Sequence, residues 1–584
     1  MSSSKYDILQ QNADDSIVSI ALGDEDIEND STRANASESE LFIEENTPYC
    51  SRVWIMIQQA TPVTLCFAIS MATSFITQFF AGRFEIDGNQ SIVFAGVALG
   101  AMYYNVTCRS VLLGITTAID TLASQHNGAQ NYREVGIVLQ RAIVILFVVC
   151  IFLSPFWIYS EQFFDYLQID PKVSRVIGMF VTIRALALPA DIISECFEKY
   201  LMAVGEMSIP MYTTVIIGAV IIGANIVMPW YMGIECLAWS VVLSEYVGVV
   251  FMIGSAWNRP SVQRTLQPWS TDLFREWKEF MWLGFPGLIM LCSEWWAFEV
   301  LTIFASLVST EAVAAQAVIM QLSTLSFMFP LGLGITTTSF IGNTLGAGKK
   351  ELAIELGRMS YVVMIGLEVL ISSSILLFGG AFVRVFALDE EVRSIAYTMI
   401  PYLALFVFVD GVQGISSGVL RGAGRQAIGA VANIVLYYAV GIPAAWYFCF
   451  HTALGVRGLI LGIFCAVLLQ TIVFCILIFG YEDYIYQSVL HSADSPRGEN
   501  RNHSGIHPHK PLSSEEDGCM SNSSDYGLEL MSNLSPGEKA TLAAISAGSS
   551  GEGDASEDEQ VDLECGDVFS SSVSIRSPII HEEW

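Results

Sequence analysis

Apolar residues in this chain come in runs of 20 or more, broken by short polar connections. A run of that length is enough to carry a helix across a hydrocarbon layer about 30 Å thick. The pattern predicts twelve membrane-spanning helices, near 53–80, 91–118, 134–159, 176–201, 209–232, 235–257, 280–307, 312–340, 355–379, 394–420, 427–450 and 456–480. The fold class is therefore all-α integral membrane. The most informative interruption lies in the seventh run, where Glu294 and Glu299 stand among apolar and aromatic neighbours that include Trp295 and Trp296. A charged side chain at mid-bilayer costs roughly 2.5–3.5 kcal/mol on the mildest scale. Such residues mark a polar pathway more often than a simple helix–helix hydrogen bond.

The pattern also repeats. Gly114-Ile-Thr-Thr117 recurs as Gly334-Ile-Thr-Thr337, Gly128-Ala129 as Gly346-Ala347, and Leu186-Ala-Leu188 as Leu403-Ala-Leu405. Leu201-Met-Ala-Val-Gly205 is echoed by Leu420-Arg-Gly-Ala-Gly424, and Pro62 by Pro286. Six spans per repeat is an even number, so the halves enter from the same side and form two parallel, pseudo-symmetric six-helix bundles. That plan places a cargo path between the bundles, near the midplane. The expected organisation is a tail over 1–48, an N-lobe over 49–258, a linker over 259–279, a C-lobe over 280–481 and a second tail over 482–584. Proline recurs in the spans, and Pro62 and Pro286 are candidate hinges because each removes a helix hydrogen bond.

Composition sharpens this picture. The chain is 53% hydrophobic and 15% charged, with a net charge of −30 that comes mostly from the two tails. Both tails are rich in Ser, Asn, Gly and acid, so they are expected to be disordered. The charge argues against a nucleic-acid partner. The start of the chain lacks the layout of a cleaved signal peptide. Lys and Arg favour the loops on the side of the termini, which predicts a multi-pass protein of the plasma or vacuolar membrane with both ends cytoplasmic. The twelve cysteines form no paired motif, so no disulfide framework or metal site is expected. The seven histidines, His126 among them, are expected in loops or tails. Gly342-Asn-Thr-Leu-Gly-Ala-Gly-Lys-Lys350 lacks the spacing and the Ser/Thr of a phosphate loop. With no nucleotide site, no cofactor is expected and the energy source is an ion gradient.

At this point the residues resemble a known family. Cys292-Ser-Glu-Trp-Trp-Ala-Phe-Glu-Val300 is similar to the seventh-helix signature of eukaryotic multidrug and toxin extrusion (MATE) transporters. Ala118-Ile-Asp-Thr-Leu122, Phe329-Pro-Leu-Gly332, Gly342-Asn-Thr-Leu-Gly-Ala-Gly348 and Ser417-Gly-Val-Leu-Arg-Gly-Ala-Gly424 support it, in the expected order over about residues 50–480. The resemblance implies a non-enzymatic exporter of organic cations, working as a monomer in the bilayer and driven by proton entry, with sodium as the other candidate ion. It implies that Glu294, Glu299 and Asp410 are the coupling carboxylates. Gln321 stands where some animal members carry a further glutamate.

Geometry separates the two glutamates. Residues five apart on a helix lie about 140° apart in angle and roughly 7.5 Å in height. Glu294 is expected to line the cavity with Asp410 opposite, and Glu299 to sit at its edge. A proton and an organic cation would then compete for the same carboxylates. Trp295 and Trp296 could stack on a flat cation, at about 0.5–2 kcal/mol each, or simply face lipid. In the first half Ser70 and Phe75 stand at the positions of Glu294 and Glu299. Asp191 is the counterpart of Asp410; it is a candidate N-lobe proton site or the partner of Arg184. Arg109 has no partner that the sequence identifies. The rival reading is a flippase for lipids or lipid-linked sugars, whose cavity should be basic rather than acidic.

Overall fold

The computed structural model describes residues 47–86, 90–387 and 389–490; of the acidic tails expected over 1–48 and 482–584, residues 1–46 and 491–584 lie outside the described residues. Twelve helices are long and apolar enough to cross a membrane. They are α1 (Tyr49–Ala81), α2 (Ile92–Gly128), α3 (Tyr132–Ile158), α4 (Pro171–Ala203), α5 (Ser208–Val227), α6 (Pro229–Ala256), α7 (Trp277–Ser306), α8 (Thr310–Gly346), α9 (Lys350–Phe386), α10 (Glu390–Gly422), α11 (Gln426–Phe450) and α12 (Arg457–Gly480). Local chemistry sets several starts. The Ser309 hydroxyl accepts from the Ala312 amide at 3.1 Å ahead of α8, and Asp389 accepts from the Glu391 amide at 2.7 Å ahead of α10. Asp170 caps α4 with Pro171 in its first turn.

The internal repeat has a structural cause. After α4 the chain turns through Gly205 with φ 90°, and after α10 through Gly424 with φ 72°. The Glu206 amide closes the first turn on the Leu201 carbonyl at 2.8 Å, and the Arg425 amide closes the second on Leu420 at 2.7 Å. Only glycine takes such a φ without strain. Packing follows the same symmetry: α1 lies on α8 as α7 lies on α2, and α5 on α6 as α11 on α12. With twelve crossings, both ends of the described chain lie on one side, here named the terminal face.

At that face the lobes interlock. Phe280 and Leu283, in the first turns of α7, sit in a core otherwise built by α2, α3, α4 and α6. Met56 and Ala60, in the first turns of α1, sit in the core of α8, α9, α10 and α12. Each helix crosses into the opposite lobe before its proline, Pro62 or Pro286. Salt bridges mark both crossings: Arg52 to Glu355 at 2.6 Å and Arg141 to Glu276 at 3.2 Å. Glycines bring α2 and α8 into contact, since a β-carbon at Gly128 would overlap the backbone of Asn343, and one at Gly346 the backbone of Gln125. Polar bonds complete the clasp. Thr121 donates to the Arg421 carbonyl at 2.7 Å, Gln125 to Gly422 at 3.0 Å, and Asn127 to the Asn343 side chain at 2.8 Å.

Three expectations need correction. α2 runs ten residues past its expected end at 118, because its last turns are buried in this clasp rather than in lipid, so hydropathy does not register them. His126 therefore sits in the last turns of α2 and not in a loop. The second tail does not begin at 482: Glu482–Ile485 is a short helix, and Ile485 and Tyr486 are almost wholly buried. This strap is pinned by Arg358 to Glu482 at 2.7 Å and by Ser488 and the Val489 amide to Gln125 Oε1 at 3.0 and 2.9 Å. Lys350 donates to Asp483 and holds that exposed carboxyl below its ordinary value. A depressed carboxyl stabilises above its unfolded value of about 3.9 and loses that contribution as pH falls, so this tether is intact at neutral pH.

The glycine contacts are testable. Gly346→Ala is expected to lower stability by about 1–3 kcal/mol through overpacking, read as a lower melting midpoint in detergent. Gly223→Ala, where nothing lies within 4 Å, is expected to be neutral.

Candidate carboxylate site

The carboxylates that break the apolar runs fall into two groups, one per lobe, and the groups are built differently. In the C-lobe, α7 presents Glu294, α9 Glu368, α10 Asp410 and α11 Tyr437. Asp410 is close enough to Glu294 and Glu368 to feel both charges, and Tyr437 lies in the field of Glu294 and Asp410. Asp410 is 6% exposed, and Glu368 and Tyr437 are not exposed at all. Tyr437 sits in a π-helical stretch, Ile434–Gly441, a local widening that recurs at functional sites. The nearest cation to Glu294 is Arg421, which also lies in reach of Asp120 across the lobe boundary.

Among the described residues the C-lobe group lacks hydrogen-bond partners. Both oxygens of Glu368, Oδ1 of Asp410 and the Tyr437 hydroxyl have none. Buried polar atoms are nearly always paired, so a cluster without partners within a lobe is the chemistry of a binding site. It offers acceptors to a cation or a proton, with the Arg421 charge reaching Glu294.

The N-lobe group is paired. Arg184 grips Asp191 with two bonds, at 2.8 and 3.1 Å, and the Tyr104 hydroxyl donates to the same carboxylate at 2.7 Å. The guanidinium stands 4.6 Å from the Tyr104 ring centre and 3.7 Å from Glu245. Of the two sequence alternatives for Asp191, the structure shows the pair with Arg184. Lys199 reaches Asp120 at 3.3 Å. Arg109, at the end of the π-helical Asn105–Arg109, lies among Glu195, Glu245, Asp191 and Glu198, which supplies the partners missing from the sequence reading. The Cys66 thiol contacts Thr214 at 3.1 Å and faces Glu198 at 4.0 Å.

The structure separates the two glutamates of α7 as helix geometry requires. Ser293, Ala297, Leu301 and Ala305 form the buried stripe of α7, Glu294 lies half-buried beside it, and Glu299 is exposed. Trp295 and Trp296 are also exposed, at 36% and 48%, one turn before Glu299. Gln321 is half-buried on α8. Glu294 and Asp410 are thus brought together, whereas Glu299, Trp295, Trp296 and Gln321 are not drawn into the unpaired cluster. The pseudo-symmetric positions behave alike: Ser70 is half-buried and Phe75 exposed. Sequence reasoning missed Glu368. Its signal was present, as the one charged residue of α9 between Arg358 and Arg384.

Comparison with known proteins gives one consistent result. The MatE family model matches residues 62–230 and 286–447, one block in each lobe. Multidrug and toxin extrusion protein 1 of Danio rerio is 32% identical over 441 residues, covering 74% of this chain and 72% of that protein. The Homo sapiens protein of the same name is 29% identical over 470 residues, covering 79% and 80%. The eukaryotic MATE transporter AtDTX14 shares the fold with a TM-score of 0.65 at 24% identity, covering 73% of this chain and 96% of that one. An outward-facing multidrug resistance MATE transporter superimposes with a TM-score of 0.67 at 15% identity, covering 74% and 96%.

The paired N-lobe group makes a prediction. Arg184→Met leaves Asp191 without its cation and is expected to cost about 3–5 kcal/mol. Arg184→Met with Asp191→Leu should recover most of that loss, as read from a double-mutant cycle on melting curves.

Proposed function

We propose, for a chain that belongs to the MatE family of membrane transporters, the export of organic cations in exchange for protons by alternating access. The observation that carries this reading is the unpaired, acidic C-lobe cluster around Glu294 and Asp410. An organic cation seated there supplies the direct counter-charge that Asp410 and Glu368 lack. Protons from the acidic side neutralise the same carboxylates and release it. One site then serves both species by competition, and a pH difference of one unit is worth about 1.4 kcal/mol per proton. Exposed Trp295 and Trp296 offer aromatic faces to a flat cation near the mouth of the site, and Glu299 a further charge. Gln321, half-buried on α8, brings a polar amide and no charge.

Alternating access needs a clasp that opens. In the conformation described, α1, α2, α7 and α8 close the terminal face. Pro62 and Pro286 fall where each crossing helix passes from the opposite lobe to its own, which suits them as hinges. Positive loops on the terminal face put that face in the cytoplasm of a plasma or vacuolar membrane. No cofactor enters this cycle, and a single chain carries the whole path. Asp191, held by Arg184 and Tyr104, belongs to the N-lobe's own packing in this reading and stands apart from the cargo site. The acidity of the cluster disfavours a phosphate-bearing lipid cargo.

The test is uptake of tetraethylammonium into inside-out vesicles with an imposed pH gradient. Glu294→Gln and Asp410→Asn are each expected to lower uptake at least tenfold, about 1.4 kcal/mol or more, at unchanged protein level. Full transport by both variants would remove those residues from the mechanism.

A further inference from the structure

We infer that Glu368 is a third proton-binding carboxyl of the C-lobe, coupled to Asp410 and holding a proton but never the cargo. This inference rests on the proton exchange proposed above. Glu368 has no exposed surface, and neither of its oxygens meets a hydrogen-bond partner among the described residues. An ionised carboxylate so placed, with no cation beside it, would cost several kcal/mol. In the clasped conformation the group is therefore a neutral acid.

Its surroundings form a fitted recess rather than an accident of packing. A β-carbon at Gly411 would overlap the carboxyl and lie 2.7 Å from Cγ of Glu368, so α10 admits this side chain only because glycine follows Asp410. The titratable groups of the packed helices are few. α8 has none between Glu311 and Lys349, and α1 has only Cys66 between Arg52 and Arg83. Between Arg393 and Arg421, α10 has Asp410 and the tyrosines 397 and 402, which lie two turns or more from it. α12 has Cys465 and Cys475 between Arg457 and Glu482, and α9 itself has Tyr361, seven residues away and bonded to Ser416 at 2.8 Å. The charge that Glu368 shares is thus that of Asp410.

Two carboxyls coupled in this way lose their protons in two steps that belong to the pair. A cation seated against Asp410 attracts both carboxylates, so its arrival expels the proton of Glu368 as well as that of Asp410. Cargo is too large to enter the recess behind α10; a proton is not.

The experiment counts protons released when tetraethylammonium is added to purified full-length protein in weakly buffered detergent. Relative to the wild type, Glu368→Gln is expected to release about one proton fewer per cation. By linkage its Kd for tetraethylammonium should stay within ~threefold of the wild type at acidic pH, where Glu368 keeps its proton throughout, and rise by about tenfold or more at alkaline pH, where the ionised carboxyl draws the cation in. Glu368→Asp should restore the count. An unchanged count overturns the inference, and a Kd raised about tenfold at acidic pH would make Glu368 a cargo contact and overturn it equally. If the wild type itself releases no proton, or if Asp410→Asn releases as many as the wild type, the parent reading of the site fails instead. Should Glu368→Gln not fold, infrared difference spectra of the wild type and Glu368→Asp decide the matter. A protonated-carboxyl band that the cation removes in the wild type and that is shifted in Glu368→Asp supports the role of Glu368, and identical spectra from the two overturn it.

Discussion

An ionised side chain away from water needs an opposite charge close at hand, and the two lobes meet that demand in opposite ways. The N-lobe carries its own cations: Arg109, Arg184 and Lys199 stand among Asp120, Asp191, Glu195, Glu198 and Glu245. The C-lobe sets Glu294, Glu368 and Asp410 together with only Arg421 in reach, and that from the far end of α10. Among the described residues one lobe holds carboxylates in direct ion pairs, Asp191 with Arg184 and Asp120 with Lys199, and the other leaves its cluster without one. Transport needs such an unfinished site, because only an incomplete site can bind and then let go. The division of labour arose on two bundles of the same plan, so it lies in side chains and not in backbone.

The conformation follows from where the helices cross. α1 and α7 each spend their first turns in the opposite lobe and the remainder in their own, with a proline at the change. The glycines of α2 and α8 let the lobes touch backbone to backbone, and the strap after α12 bonds Gln125 across the seam. These contacts are many and individually small. A surface of that kind can part as a unit without breaking either lobe's core, as rigid-body exchange requires.

Much of this was legible in the sequence. Twelve apolar runs gave twelve spans, and echoed glycines gave the two-fold repeat because each holds the same left-handed turn. The angular separation of Glu294 from Glu299 followed from helix geometry alone. What stayed hidden depends on contacts far apart in the chain. Lys199 pairs with Asp120 and not with its neighbour Glu198, a choice made by how α4 lies on α2. The polar end of α2 reads as loop until α8 covers it. The strap looked like the start of an acidic tail because burial of Ile485 and Tyr486 depends on a groove that the other helices build. Glu368 has no echo in the first half, where Cys150 and Ile151 fall at the corresponding position, so a search for paired features passes it by.

The crossing of α1 and α7 also bears on how the protein is made. A chain leaves the ribosome from its N-terminus, and domains generally fold as they emerge. Here the N-lobe cannot close its core when its sixth helix is complete, because Phe280 and Leu283 belong to a helix not yet synthesised. The first turns of α1, in turn, wait for α8, α9 and α10 before Met56 and Ala60 are covered. Neither half is a finished folding unit, although each is a full structural repeat. The newly inserted first half must persist in the membrane with an open seam, and the arrival of α7 is the event that ends that wait.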